Sequence, residues 1–143
     1  MQGGSYTKFH TKLADLKTAH SERLKEAKSL LRNSAFGSAI AYGIYAVEIY
    51  LKVRICERLD LEALPRPFQI HDLDGLLVLS GLSRRMDELG VSPIKANWEE
   101  LTLLDVSDFR YKPANSWTSE QARTILSQID HPRDGVLRWL KKQ

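Results

Sequence analysis

The 143-residue sequence has little of several features that define large classes of proteins. Its single cysteine, Cys56, excludes an internal disulfide framework and a zinc site built from cysteines alone. It has no uncharged apolar stretch of the roughly 18 residues that a membrane-spanning helix needs. Its first residues lack a basic segment followed by an apolar one. No secretory signal is therefore predicted, and a cytoplasmic location is expected.

The familiar catalytic motifs are also missing. The chain has no glycine-rich phosphate loop, no dinucleotide-binding fingerprint, no Gly-x-Ser-x-Gly elbow and no His-Glu-x-x-His pair. Its four histidines have no spacing that is typical of a metal site, so neither a metal nor a cofactor is predicted. The common enzyme classes are therefore without support in the sequence.

The composition is that of one ordinary folded domain. Hydrophobic residues make up 43% and charged residues 27% of a chain whose length suits a single unit. The net charge is +3, and the positive excess lies in residues 1–66, with 11 Lys+Arg against 7 Asp+Glu. This asymmetry weakly favours an anionic partner. We predict a flexible N-terminus over residues 1–5 and one helical domain over residues 6–143.

Apolar residues recur at three- and four-residue steps along nearly the whole chain, which predicts an all-α fold. Residues 6–31 place one apolar stripe on a long helix. Ser34 is predicted to cap a second helix, which is apolar on all sides from residue 35 to residue 51 and should be the buried centre of the fold. The charged end of that helix, residues 52–58, is expected to emerge from the bundle.

Shorter helices are predicted after the proline-containing connection at residues 65–67, because capping residues and glycines mark their ends. The predicted segments are residues 73–79, residues 83–89, residues 94–104 after the cap Ser92, a loop over residues 105–117, and a last helical region that opens at the capping box Thr118-Ser-Glu-Gln121. Together these segments predict an all-α bundle of four to five main helices with short connections.

One carboxylate, Glu48, lies in the middle of the apolar helix. A buried carboxylate needs a partner, and Lys52 follows four residues later, in the order that favours a helical ion pair. Glu48 therefore either pairs with Lys52 or faces a cleft, and the ion pair is the favoured interpretation.

The densest polar and aromatic cluster, Asp-Phe-Arg-Tyr-Lys-Pro, lies in the loop before the capping box. Arg110 and Lys112 can contact phosphate, and Tyr111 can stack on a base. In the alternative interpretation, Arg110 pairs with Asp108 or Glu48, and Tyr111 plugs the end of the bundle. Both interpretations are open at the level of the sequence.

Three stretches, taken in order, resemble the HEPN domains. Residues 46–52, Ala-Val-Glu-Ile-Tyr-Leu-Lys, resemble an Ala-x-Glu-x-x-Leu-Lys signature in the second helix of that family. The sequence His71-Asp72-Leu73 resembles the opening of its third helix. Residues 108–113, followed by Ser-Glu and Ala before the last helix, resemble the final loop and helix of one branch. The resemblance spans roughly residues 8–140.

The resemblance implies a four- or five-helix up-and-down bundle that is commonly a homodimer. It implies prokaryotic roles in toxin–antitoxin, defence and nucleotidyltransferase-associated systems. The implied partners are RNA, a nucleotide, an antitoxin or a nucleotidyltransferase-type protein. Some members are metal-independent ribonucleases that carry an Arg-x4-6-His motif, in which the arginine steadies phosphorane charge and the histidine moves a proton.

This sequence departs from the ribonuclease pattern, because no histidine follows Arg110 at that spacing. The string from Arg66 to His71 fits the spacing but lies between the second and third helices. The sequence therefore predicts a non-catalytic HEPN-like domain, and its predicted ligand contacts are Arg110, Tyr111, Lys112, His71, Asp72, Arg84 and Glu48.

Two further hypotheses remain open. A ribonuclease with a displaced site would use Arg110, His71 or Arg66. A structural adaptor would bind a larger enzyme and have no affinity for nucleic acid.

Overall fold

A computed structural model describes residues 11–143. Within this range the chain forms eight α-helices and one short antiparallel strand pair, which confirms the predicted all-α bundle. The strands are β1 (Thr11–Lys12) and β2 (Ala63–Leu64), and the helices are α1 (Leu13–Arg32), α2 (Phe36–Arg58), α3 (Leu73–Leu79), α4 (Ser83–Glu88), α5 (Pro93–Thr102), α6 (Asp108–Tyr111), α7 (Ser119–Asp130) and α8 (Val136–Lys141). Four of these helices have ten residues or more.

Helix α2 is the centre of the bundle, as its apolar surface predicts. Fourteen of its 23 residues are buried, and they lie on every side of the helix. Helix α1 packs along α2, and a tight turn joins the two helices. They run antiparallel, since β1 at the start of α1 pairs with β2 beyond the end of α2. The ion pair from Lys17 to Glu57, at 3.6 Å, joins the same two ends.

Glycine lets α7 approach α2 closely on another side. A Cβ atom on Gly43 would lie 2.6 Å from a δ carbon of Leu126 and 2.9 Å from the δ carbon of Ile129. Both side chains of α7 are buried in the core. The missing side chain therefore sets the distance at which these two helices pack.

The first helix begins later than the apolar periodicity predicts. Thr11 and Lys12 are extended and pair with β2, so the helix starts at Leu13. The backbone N–H of Leu13 donates to the carbonyl of Glu62 at 2.7 Å, which continues this pairing into the first helical turn. The predicted flexible segment over residues 1–5, and the start of the stripe over residues 6–10, lie outside the described residues.

Two predictions about the ends of α2 are wrong. Ser34 does not cap it: Ala35 occupies the N-cap position, and Ser34 adopts a left-handed φ of 60° in the turn that closes α1. The charged C-terminal end does not emerge as a whole, since Lys52, Val53, Ile55 and Cys56 are buried. Burial also raises the pKa of the Cys56 thiol, which favours a packed, unreactive cysteine.

The shorter helices follow their predicted signals closely. Helix α3 has the predicted bounds, and Gly81 and Gly90 adopt φ values of 81° and 58° after α3 and α4. Ser92 caps α5 by accepting a hydrogen bond from the backbone N–H of Lys95 at 3.1 Å. The loop predicted over residues 105–117 contains local structure that its sequence pattern did not indicate, namely α6 and a 3₁₀ turn at Ala114–Ser116.

The capping box of α7 gives a direct test of local stability. The backbone N–H of Gln121 donates to Thr118 Oγ1 at 3.1 Å, and the backbone N–H of Thr118 donates to Gln121 Oε1 at 2.9 Å. Thr118→Ala is expected to lower the free energy of unfolding by about 0.5–2 kcal/mol in urea denaturation. Thr124→Ala, at an exposed position of the same helix, should change it by less than about 0.5 kcal/mol. Equal losses in the two variants would show that the box contributes nothing.

His20 makes the stability of the fold depend on pH. Its ring lies 5.2 Å from that of Tyr50, and its buried Nδ1 has no hydrogen-bond partner among the described residues. Burial, with the nearby charge of Lys141, lowers the pKa of His20 from 6.5 to about 4. Between these two pH values His20 binds a proton in the unfolded chain but not in the folded chain. The free energy of unfolding therefore falls as the pH falls through this window.

The variant His20→Phe isolates this contribution. Wild-type protein is expected to lose more stability than the variant between pH 6.5 and about 4, as measured by urea denaturation at a series of pH values. The acidic side chains titrate in both proteins, so the difference between the two curves belongs to His20. Parallel curves would contradict the assignment.

Candidate functional site

A cleft of about 610 Å³ lies between the middle of α2, the start of α3 and the segment that joins α5 to α6. We call it the His71–Arg110 cleft, after two predicted site residues that line it. Its polar lining includes Glu48 from α2, His71 and Asp72 from the start of α3, and Arg110 from α6. These residues are far apart in the sequence and share one concave surface.

The buried wall of the cleft is built around Glu48, whose exposed fraction is 5%. Its Oε2 accepts a hydrogen bond from Lys52 Nζ at 2.9 Å, so the ion pair predicted from the helical spacing is formed. The same oxygen lies 3.0 Å from His71 Nδ1. Glu48 therefore has both of the roles that the sequence left as alternatives, since it pairs with Lys52 and lines a cleft.

The second oxygen of this carboxylate is unusual. Glu48 Oε1 is buried and has no hydrogen-bond partner among the described residues. A buried acceptor without a partner costs free energy, because water solvates it in the unfolded chain. The site thus retains one unused acceptor beside the His71 ring.

The start of α3 positions His71. Asp72 caps the helix by accepting a hydrogen bond from the backbone N–H of Gly75 at 3.1 Å, and Leu73 is buried beneath it. Farther along, the indole N–H of Trp98 donates to Asp74 Oδ1 at 3.2 Å, which ties α3 to α5. The His71 side chain itself is 81% exposed, so the ring stands at the mouth of the cleft while its Nδ1 contacts buried Glu48.

Arg110 reaches the cleft because the loop before it is folded. Asp105 accepts hydrogen bonds from the hydroxyl of Ser107 at 2.6 Å and from its backbone N–H at 2.9 Å. These bonds lower the pKa of Asp105 and form the turn that precedes α6. The turn fixes the chain direction for the helical residues that carry Arg110.

An aromatic pair anchors α6 to the core. The rings of Phe109 and Trp117 lie 4.6 Å apart, and Trp117 packs against α2. A Cβ atom on Gly37 would lie only 2.8 Å from the Trp117 ring, so the glycine makes room for the indole. This anchor was not predicted from the sequence. The sequence does contain a signal for it, since Phe109 lies within the polar cluster and Trp117 follows shortly after it.

The alternative interpretation of the polar cluster is wrong. Tyr111 is 76% exposed and does not plug the bundle, because Phe109 and Trp117 fill that position. Arg110 forms no ion pair among the described residues, whereas Asp108 pairs with Lys112 at 3.5 Å. The Arg110 guanidinium lies 5.9 Å from the centre of the Tyr111 ring, so the two exposed side chains are neighbours.

Four predicted site residues, Tyr111 among them, are not among the residues that line the cleft. Lys112 borders an adjacent groove of about 200 Å³. Arg84 lies on α4, where it is 93% exposed and 3.5 Å from Glu88. Arg66 lies in the 3₁₀ turn Arg66–Phe68, before the chain reaches His71. The structure therefore brings together Glu48, His71, Asp72 and Arg110. The functional roles of all eight predicted residues stay predictions.

Three carboxylates and one guanidinium line the cleft. Glu48 pairs with Lys52, whereas Asp72 and Asp105 accept hydrogen bonds from neutral groups. Arg110 forms no ion pair among the described residues. Within residues 11–143, no group of three or more His, Cys, Asp or Glu side chains is arranged to hold a metal ion. Over the same residues, no helix combines the length and the apolar character that crossing a membrane requires.

Comparison of the chain with protein-family models, with curated proteins and with solved structures found no match. The resemblance to HEPN domains therefore stays a prediction from the motifs.

Proposed function

We propose that this chain is a HEPN-like domain that binds single-stranded RNA or a nucleotide in the His71–Arg110 cleft, within a prokaryotic toxin–antitoxin or defence-type system. The observation that carries the proposal is the shared cleft: His71 and Arg110 belong to separate motifs of the resemblance, and both line it. Clefts with a few converging polar groups are the usual place for a small ligand.

The exposed side chains at the rim suit a nucleotide. A guanidinium donates paired hydrogen bonds to phosphate oxygens, and Arg110 has no carboxylate partner that would compete for it among the described residues. Tyr111 presents an open ring beside it, and such rings stack on bases of any sequence. Phosphate and base of one nucleotide unit thus each have a matching group.

Binding of a short single-stranded RNA of about ten nucleotides, followed by fluorescence anisotropy, tests this function. We expect saturable binding at low salt that weakens as salt rises, with a slope of roughly 0.7 in log Kd against log salt for each phosphate contact. A mononucleotide should compete for the same site. Absence of saturable binding at low salt to either ligand would refute the proposal and would favour a structural adaptor.

A metal-independent ribonuclease is the second candidate, and the contact between Glu48 and His71 is the observation that favours it. A carboxylate that accepts the Nδ1 proton of a histidine fixes the tautomer in which Nε2 can take a proton. In this candidate, Nε2 of His71 removes the proton of a ribose 2′-hydroxyl, whose oxygen bonds to the adjacent phosphorus while the bond from phosphorus to the 5′-oxygen breaks. His71 then gives the proton to the departing 5′-oxygen, and Arg110 stabilises the negative charge that develops on the phosphorus oxygens.

The two candidates differ in what happens to the RNA. A ribonuclease cleaves it in the presence of a metal chelator, and His71→Ala abolishes the cleavage without loss of helical content. A binding domain leaves the RNA intact under the same conditions. Intact RNA with clean wild-type protein therefore removes the ribonuclease candidate and leaves the binding function standing.

A further inference from the structure

A second concave surface lies at the C-terminal end of α2, and arginines dominate it. Arg54 and Arg58 of α2 and Arg85 of α4 line a pocket of about 380 Å³. Arg54 and Arg58 are four residues apart, which places them on one side of the helix. Glu57 is the one carboxylate in the lining that the structure describes, and its Oε2 lies 3.6 Å from Lys17 Nζ of α1.

The backbone holds two of the three guanidinium groups in place. Arg58 Nη1 donates to the carbonyl of Leu79 at 2.9 Å, and Arg54 Nη2 donates to the carbonyl of Gln143 at 3.2 Å. Gly81 adopts a left-handed φ of 81°, and a Cβ atom there would lie 2.8 Å from Arg58 Nε. Gly81 therefore allows the left-handed turn after α3 and also leaves room for the Arg58 side chain.

These bonds leave most of the donors unused. A guanidinium has five N–H groups. Arg58 and Arg54 each donate one hydrogen bond to a backbone carbonyl, and Arg54 also interacts with the Tyr50 hydroxyl. Arg85 is exposed and forms no hydrogen bond or ion pair among the described residues. Three cations around one pocket repel each other, and an oxyanion between them removes that repulsion.

We propose that this arginine pocket binds a phosphate group. A guanidinium group can donate two parallel hydrogen bonds to phosphate oxygens. Three guanidinium groups line the pocket, and the one carboxylate described in its lining, that of Glu57, lies near Lys17. The pocket shares no lining residue with the His71–Arg110 cleft. The proposal is therefore independent of the function proposed above.

The test uses the full chain and pyrophosphate, with isothermal titration calorimetry at constant ionic strength. Wild-type protein is expected to bind pyrophosphate saturably, and Arg85→Ala should weaken the binding by about tenfold, the effect of losing one charge-assisted contact. Arg85 is the residue to change because its side chain is exposed, so the fold should survive the substitution. Arg123→Ala removes the same charge from an exposed position of α7, which is not among the pocket-lining residues, and should weaken binding by less than about twofold.

Two further titrations identify the source of the phosphate. One titration uses inorganic phosphate. The other compares a 5′-phosphorylated oligonucleotide with the same oligonucleotide without its terminal phosphate. If the terminal phosphate raises the affinity and Arg85→Ala removes that increase, the pocket binds nucleic-acid ends. If inorganic phosphate binds and the terminal phosphate raises no affinity, the ligand is a free anion. The proposal is overturned if binding of pyrophosphate does not saturate, if chloride at equal ionic strength displaces it as well as phosphate does, or if Arg123→Ala and Arg85→Ala weaken binding equally.

Discussion

Glu48→Ala is expected to lower the free energy of unfolding by about 3–5 kcal/mol, the cost of leaving one partner of a buried ion pair alone. The substitution strands the Lys52 ammonium, whose exposed fraction is 7%, without its carboxylate at 2.9 Å. It also removes the acceptor for His71 Nδ1. Urea denaturation followed by circular dichroism measures the loss.

Two controls separate the effect of burial from the effect of pairing. Glu88→Ala breaks the exposed pair with Arg84, which has the same four-residue spacing, and should cost less than about 1 kcal/mol. The double variant Glu48→Met with Lys52→Met replaces both charges with apolar side chains and should recover most of the stability. If Glu48→Ala costs no more than Glu88→Ala, the pair is solvated and the description of the buried wall is wrong.

The double variant Arg110→Ala with Tyr111→Ala is expected to weaken RNA binding by roughly a hundredfold or more. A charged hydrogen bond contributes about 1.5–3 kcal/mol and base stacking about 1–3 kcal/mol, so the loss of both exceeds the loss of either. Both side chains are exposed, which means that their removal leaves the core intact. Fluorescence anisotropy with the RNA used for the wild-type protein measures the change.

The single variants and one matched control make this result specific. Arg110→Ala should reduce the salt dependence of binding, because it removes a phosphate contact, whereas Tyr111→Ala should leave the slope unchanged. Arg123→Ala removes an exposed positive charge from α7, which does not contribute to the cleft, and should have little effect. If Arg123→Ala weakens binding as much as Arg110→Ala, the attraction is general to the basic surface and the assigned contacts are wrong.

The fold could be predicted largely from local signals. The apolar surface of α2 predicted its burial, and Ser92, Gly81 and the capping box of Thr118 predicted helix ends, because each acts through its own neighbourhood in the chain. The start of α1 was beyond such signals. Thr11 is extended because it pairs with Leu64, and that partner is distant in the sequence.

The candidate site could be predicted only in its parts. Glu48 and Lys52 form one helical turn, so their pairing follows from spacing. The contact between Glu48 and His71 depends on how α3 returns to α2, and no pattern in either segment contains that information. The exposure of Tyr111 could not be decided from the sequence for a similar reason, since Phe109 and Trp117 are alternative candidates for the same place against the core and the sequence does not rank the three aromatic residues.

The predicted homodimer and the predicted protein partners depend on the resemblance alone. Light scattering on the purified chain tests the dimer, and co-purification with the products of neighbouring genes tests the partners. A monomer that still binds RNA in the cleft would remove the dimer from the account and leave the binding function unchanged.

Nuclear magnetic resonance mapping of RNA binding tests the central claim most directly. Amide chemical shifts of the labelled chain are recorded while a short single-stranded RNA is added. We expect the largest shifts at residues 71–73, 102–107 and 110, which line the cleft. Shifts confined to other surfaces, such as the arginine pocket at residues 80–85, would contradict it.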